Sequence, residues 1–189
     1  MLYADFGETV DERYSVGNTY VSKLEEKHKS ILVQFTSSEE DQNNFLHNDA
    51  LEYTKLNLGV TYLLFRQADD KLIAFTTLGT GAIRIPDKLE WELHGKKLKD
   101  YPKMFPNQFP ALKIGQIATI TEEEGKGAGT LLLHFASKLA TELKSRVGCT
   151  YLVLDARSKR IDWYKKRGFK TWITNISGME TVPMYTEIQ

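Results

Sequence analysis

Apolar and polar residues along this chain alternate between a two-residue period and a three-to-four-residue period, and the switches outline its elements. Residues 1–30 are polar and acidic without a clear period. They read as an appended N-terminal segment, helical over Val16–Lys29, and Ile31–Phe35 reads as a short strand. Ser37 or Ser38 can cap a helix to about Asn57, in which Phe45, Leu46, Asp49, Tyr53 and Leu56 recur at helical spacing. Val60–Phe65 and Leu72–Leu78 read as strands joined by a hairpin turn at Asp69-Asp70. Ala111–Ile120 has the apolar character of a central strand. Beyond it, Leu132, Phe135, Ala136, Leu139, Ala140, Leu143 and Val147 share one face of an amphipathic helix. Tyr151–Ala156 is a further strand, and Ser158 can cap a helix over Lys159–Arg167 that Gly168 closes with a left-handed cap. Phe169–Thr174 and Thr181–Ile188 predict two final antiparallel strands.

Gly79–Pro110 interrupts this order. Four of the five prolines lie here (Pro86, Pro102, Pro106, Pro110), interleaved with Trp91, Tyr101, Phe105 and Phe109 and with Lys88, Lys96, Lys97 and Lys99. A stretch of this length without a period is either a functional loop or a structural insertion covering the sheet.

Between the central strand and the long helix stands Glu124-Gly125-Lys126-Gly127-Ala128-Gly129. Glycines at alternate positions let the backbone approach a ligand closely, and the first helical N–H groups point outward at the positive end of the helix dipole. The turn therefore suits a phosphate or pyrophosphate. It is neither a nucleotide P-loop, which needs four residues between its glycines and then Lys-Ser or Lys-Thr, nor a Gly-x-Gly-x-x-Gly dinucleotide turn.

At 189 residues the chain fits one domain. It has no apolar run near the roughly 18–20 residues that span a bilayer, and its N-terminus lacks a signal-peptide pattern. Cys149 is the only cysteine, which fits a reducing cytoplasm and a small core residue. Net charge is zero but unevenly spread. Residues 1–60 are acidic, whereas residues 138–170 carry Lys138, Lys144, Arg146, Arg157, Lys159, Arg160, Lys165, Lys166, Arg167 and Lys170. That basic cluster is either a solvated face or a nucleic-acid grip.

Downstream of the glycine turn, Tyr151-Leu152-Val153-Leu154-Asp155-Ala156-Arg157-Ser158 leads into Ile161-Asp162-Trp163-Tyr164-Lys165-Lys166-Arg167-Gly168-Phe169. The pair, in this order and separation, resembles the GNAT family of N-acetyltransferases. In that family an Arg/Gln-x-x-Gly-x-Gly/Ala turn binds the pyrophosphate of acetyl-CoA, and an aromatic-Tyr-x-x-x-Gly-Phe segment sets a tyrosine beside the CoA sulfur. Phe45–Tyr53, Gly59–Phe65 and Leu72–Leu78 extend the similarity toward a subgroup with toxin-like members that acetylate aminoacyl-tRNA. In all it covers about Ile31–Ile188.

The resemblance implies an α/β (α+β) GNAT acyltransferase fold, a central mixed, mostly antiparallel, splayed sheet flanked by helices. Residues 31–189 would be the acetyltransferase domain, with 79–110 an insertion or acceptor-side lid. It implies acetyl-CoA as cosubstrate and no metal. The cofactor would lie on Glu124, Gly125, Lys126, Gly127, Ala128, Gly129 and Thr130, with its arm along the backbone of Ile117, Ala118 and Thr119. Ser158 stands where many members carry an asparagine that touches the arm, and Tyr164 would be the general acid; no residue is assigned as base. The implied reaction is direct transfer of acetyl to a primary amine of a small-molecule or protein acceptor, in the cytoplasm, with no membrane partner; a homodimer is compatible.

Two alternatives stay open. One is toxin-type acetylation of aminoacyl-tRNA, placed second because toxin-like relatives tend to be basic and this chain is neutral. The other is a degenerate domain that binds CoA or a partner without turnover, motivated by Glu124 where the family favours Arg or Gln, and by Ser158.

Overall fold

The computed structural model describes residues 14–84, 91–100, 108–173 and 176–188. Its strands are β1 (Tyr14–Val16), β2 (Thr19–Lys23), β3 (Val60–Arg66), β4 (Lys71–Arg84), β5 (Glu92–Leu93), β6 (Lys96–Lys97), β7 (Gln108–Thr119), β8 (Tyr151–Arg157), β9 (Lys170–Thr171) and β10 (Thr181–Glu187). Eight of them form one sheet in the order β1-β2-β3-β4-β7-β8-β10-β9, and β5–β6 is a separate hairpin. Within the main sheet only β7 and β8 run parallel. The helices are α1 (Lys29–Leu32), α2 (Glu40–Asn44), α3 (Ala50–Lys55), α4 (Ala128–Arg146) and α5 (Ile161–Lys165).

The N-terminal helix expected over Val16–Lys29 is corrected. Thr19–Lys23 alternates buried and half-exposed positions, turns back on β1 through Gly17 at φ +61°, and pairs along β3. Residues from Tyr14 onward are thus part of the main sheet. Ile31–Phe35 is not a strand either: Leu32 and Phe35 are buried three residues apart while Val33 between them is exposed, so the segment winds as α1 and a closing turn. Among the described residues of the expected Phe169–Thr174 strand, only Lys170–Thr171 pairs, along β10; Thr174 lies outside the described residues.

The helix expected to Asn57 exists, with a π-turn over Phe45–Asp49 between α2 and α3. The wider turn shifts the buried face, so Leu46 and Ala50 are fully buried while Leu56 is exposed. Phe35 and Phe45 pack on Phe75 on one face of the sheet, and Phe135 of α4 packs on Tyr62 on the other.

Most of the irregular Gly79–Pro110 stretch resolves into structure. Gly79–Arg84 pairs with Gln108–Lys113 as the far ends of β4 and β7. The β5–β6 hairpin buries Leu93 and, just after it, Leu98 against Ile83, Phe109 and Tyr151, and the indole of Trp91 donates to the Tyr151 hydroxyl at 2.8 Å. The described part of this stretch covers the sheet. Residues 85–90 and 101–107, with Pro86, Lys88, Tyr101, Pro102, Phe105 and Pro106, lie outside the described residues.

The feature that makes a site is the parting of β7 from β8. Their parallel pairing spans only Ala111–Ile114 with Tyr151–Leu154. At that point β7 carries one extra residue against β4: Leu78 faces Ile114, Thr77 faces Gln116, and Gly115 is the bulge between. β7 then follows β4 to Thr119, β8 continues to Arg157, and a gap opens between them. Replacing Phe75, fully buried between Phe35 and Phe45, should test this core. Phe75→Ala is expected to lower unfolding free energy by about 3–5 kcal/mol in urea titration.

Candidate cofactor cleft

The gap widens into a cleft of about 390 Å³. Its walls are Ile114–Thr119 of β7, Leu154, Asp155 and Arg157 of β8, the glycine turn with the first turn of α4, and α5 with its flanks. Ser37–Glu39 and the start of α2 close a further side. On the side of the gap, the backbone of Gly115–Thr119 has no β8 neighbour, so its polar groups are available to an extended ligand.

The turn ahead of α4 is built by left-handed glycines, with Gly125 at φ +79° and Gly127, the N-cap, at φ +102°. The Lys126 amide bonds back to Glu123 O at 3.2 Å and the Thr130 amide to Gly127 O at 2.9 Å. Ala128 and Gly129 occupy the first helical positions, whose N–H groups have no carbonyl four residues back within the helix. These amides and the positive end of the helix dipole face the cleft. Gly129 packs close to α5: a Cβ there would stand in van der Waals contact, 3.4 Å from the Trp163 ring.

Arg167 fixes the geometry between the two helices. Its Nε and Nη2 donate to Thr130 Oγ1 at 3.1 and 2.9 Å, Nη1 donates to Trp163 O at 2.8 Å, and the guanidinium lies 3.8 Å over the Trp163 ring. The first turn of α4 and α5 are thereby clamped together. The turn after α5 closes at Gly168, φ +85°, with the Phe169 amide bonded to Tyr164 O, the left-handed closure expected from sequence.

Tyr164 is 7% exposed, lies edge-on to both Trp163 and Phe169, and lines the cleft. Burial pushes its phenol up to about 12, with the Arg160 and Arg167 cations pulling partway back. It is therefore a neutral donor at physiological pH.

Of the residues expected to hold a cofactor, Ile117, Ala118, Thr119, Glu124, Gly125, Gly127, Ala128, Gly129 and Thr130 line this one cleft together with Tyr164. Lys126 and Ser158 do not line it. Lys126 reaches Glu123 at 3.4 Å. The Ser158 hydroxyl stands 2.5 and 3.1 Å from the carbonyls of Met179 and Glu180, tying β8 to the segment before β10. It does not cap a helix; Ser158–Arg160 is a 3-10 turn ahead of α5.

The acidic residues before the turn each have a cation. Glu122 meets Lys71 at 2.5 Å, Glu123 meets Arg66 at 2.9 Å, and Glu124 meets Arg160 at 3.7 Å. The Lys71 ammonium holds the Glu122 carboxyl below the usual carboxylate range. Part of the basic 138–170 cluster is likewise engaged: Arg157 bridges Glu39 at 3.2 Å and Asp41 at 2.7 Å, and Lys159 pairs with Glu39. Asp155, Arg157, Gln116 and the Ser37–Gln42 wall are cleft residues that the sequence reading did not single out. Only the odd-position spacing of Asp155 and Arg157 in β8, which puts them on one face, could have paired them.

No protein-family model matches the chain. Among solved structures, a tyrosine-to-phenylalanine variant of KacT superposes with TM-score 0.74 at 16% identity, covering 91% of this chain and 96% of the other. AtaT complexed with acetyl-methionyl-tRNAfMet gives 0.70 at 20% identity over 87% and 93%. AtaTR bound with acetyl-CoA gives 0.70 at 20% identity over 90% and 94%.

The Tyr164 environment predicts a pH effect. The folded state keeps this proton to about 12 while an ordinary phenol releases it near 10, so the stability present below pH 10 is lost as pH rises through 12. Urea midpoints should fall more steeply between about pH 9 and pH 11.5 for the parent than for Tyr164→Phe. Parted β7 and β8 strands, a glycine turn at the mouth of α4 and neighbours of this similarity together assign the chain the GNAT acyltransferase fold.

Proposed function

We propose that the chain is an acetyl-CoA-dependent N-acetyltransferase whose acceptor is the amino group of an aminoacyl-tRNA. The observation that carries the reading is the convergence of three features on one cleft: unpaired β7 backbone, outward amides at the α4 mouth, and a buried phenol. AtaT solved with acetyl-CoA and with acetyl-methionyl-tRNAfMet supports both the cosubstrate and the acceptor. AtaT bound to the C-terminus of the antitoxin AtaR supports a protein antitoxin as partner.

The chain's residues suit the cosubstrate in turn. Amides of Ala128 and Gly129 would take the pyrophosphate, and the β7 edge from Gly115 to Thr119 would hydrogen-bond the pantetheine arm as a strand does. When bound, acetyl-CoA supplies the activated acyl group. The Ile117 backbone N–H, which faces the gap while its neighbours Gln116 and Ala118 bond to β4, polarises the acyl oxygen. The acceptor amine, having lost a proton to solvent, attacks the acyl carbon. The C–S bond breaks as Tyr164 Oη gives its proton to the departing sulfur, and the proton then shed by the nitrogen returns through solvent to the phenolate. A phenol near 12 is a weak acid for a thiolate that in water holds a proton near about 8.5. The desolvation that raises the phenol raises a neighbouring thiolate too, which narrows the gap.

Calorimetry with acetyl-CoA, followed by thiol release and label transfer to charged tRNA, tests the proposal. Acetyl-CoA binding with no thiol release on charged tRNA or a panel of amines would instead favour a binding domain without turnover. Tyr164→Phe is expected to lower kcat by about 10²–10⁴ while acetyl-CoA affinity changes little. Equal rates would remove Tyr164 from the mechanism. Glu124→Gln releases Arg160 at the cleft and removes a charge beside the pyrophosphate site, so acetyl-CoA should bind about fivefold tighter by the same calorimetry.

A further inference from the structure

An amine that reaches the thioester is a cation in water, and the cleft that suits phosphates is poor at receiving it. Arg157, Arg160 and Arg167 all line it. Its other carboxylates each have a guanidinium partner, Glu39 and Asp41 in Arg157, Glu123 in Arg66 and Glu124 in Arg160, with Lys159 and Lys126 added on Glu39 and Glu123. Asp155 differs.

Asp155 sits one residue past Leu154, the last β8 position that pairs with β7, and so stands at the apex where the strands part. It lines the cleft. Strand alternation sets it on the face of Tyr151 and Val153, which the β5–β6 hairpin covers, away from Leu152, Leu154 and Ala156, which pack with α4. Its carboxylate thus borders the cleft from the side opposite the glycine turn. Its partner is an ammonium, Lys113 Nζ at 2.9 Å from Oδ2, with the two side chains 48% and 47% exposed. Gly115, the next exposed β7 residue toward the cleft, puts no side chain in the way. An exposed lysine on a flexible stem is exchanged for another ammonium without loss of charge or hydrogen bonds, which a forked guanidinium pair does not allow.

We propose that Asp155 receives the ammonium of the acyl acceptor, with Lys113 holding the carboxylate until the acceptor arrives. The assignment rests on the acetyl-transfer reading and narrows its acceptors to amines protonated in solution. It makes Asp155 a specificity residue on the acceptor side, opposite Tyr164.

The two halves of the ion pair separate this from a structural role. L-Methioninamide, which carries the amine without phosphates, is assayed as substrate or as competitor of charged tRNA. Asp155→Asn should raise its KM or Ki by about fivefold, the scale of one half-exposed ion pair, and Asp155→Glu should restore most of the loss. Lys113→Met should move it the other way, to tighter binding. Acetyl-CoA affinity should stay within about twofold in all three, since the phosphate wall is untouched. If both Asp155→Asn and Lys113→Met weaken methioninamide alike, or neither moves it, the assignment is overturned while acetyl-CoA binding and transfer stand. If the parent binds no acetyl-CoA, the transfer reading falls first, and this assignment with it.

Discussion

Everything in this molecule that suits acyl transfer depends on how briefly β7 and β8 stay together. Their parallel ladder ends at Ile114 and Leu154, and the Gly115 bulge lets β7 keep its pairing with β4 while β8 leaves. A sheet that stayed paired to Thr119 and Arg157 would have no cleft, and the β7 carbonyls and amides now facing the gap would be spent on β8. Tyr164 would then line no open cleft. The sheet tolerates the open ladder because the β10–β8 pairing runs unbroken over Thr181–Glu187 on the far side.

Charge is arranged to hold the cleft's outer walls. The acidic segment before residue 60 and the basic segment after residue 138 are remote in sequence, yet Glu39 and Asp41 meet Arg157 and Lys159 across the opening. A chain of zero net charge therefore carries a polar cross-tie at its cleft. The acids beside the glycine turn are compensated in the same way, through Lys71, Arg66 and Arg160. That compensation removes much of the reason to read Glu124 as a sign of a disabled site.

What the sequence made legible was local. The glycine turn, the Gly168 cap and the apolar faces of α4 and β8 follow from short-range rules about φ, caps and period and appear where those rules put them, except that α4 ends at Arg146 and leaves Val147 exposed past its end. Misreadings came where tertiary contact overrode composition. Thr19–Lys23 read as part of a helix because only alternate residues are buried where it pairs between β1 and β3, and Ile31–Phe35 looked like a strand because its apolar run hides a three-residue spacing. The β7 bulge, the Phe45–Asp49 π-turn and the meeting of Asp155 with Lys113 are products of register, which no local pattern encodes.

The Arg167 clamp has a further consequence for the turn it adjoins. Gly125 and Gly127 would, in a free chain, sample far more conformations than any other residues there, and a ligand would have to select one of them. Holding Thr130 from the neighbouring helix stiffens the turn from its C-terminal side before anything binds. Under the proposed function, ordering that a diphosphate would otherwise have to impose is accomplished during folding, and preorganisation rather than added contacts would let three small residues serve as a receptor.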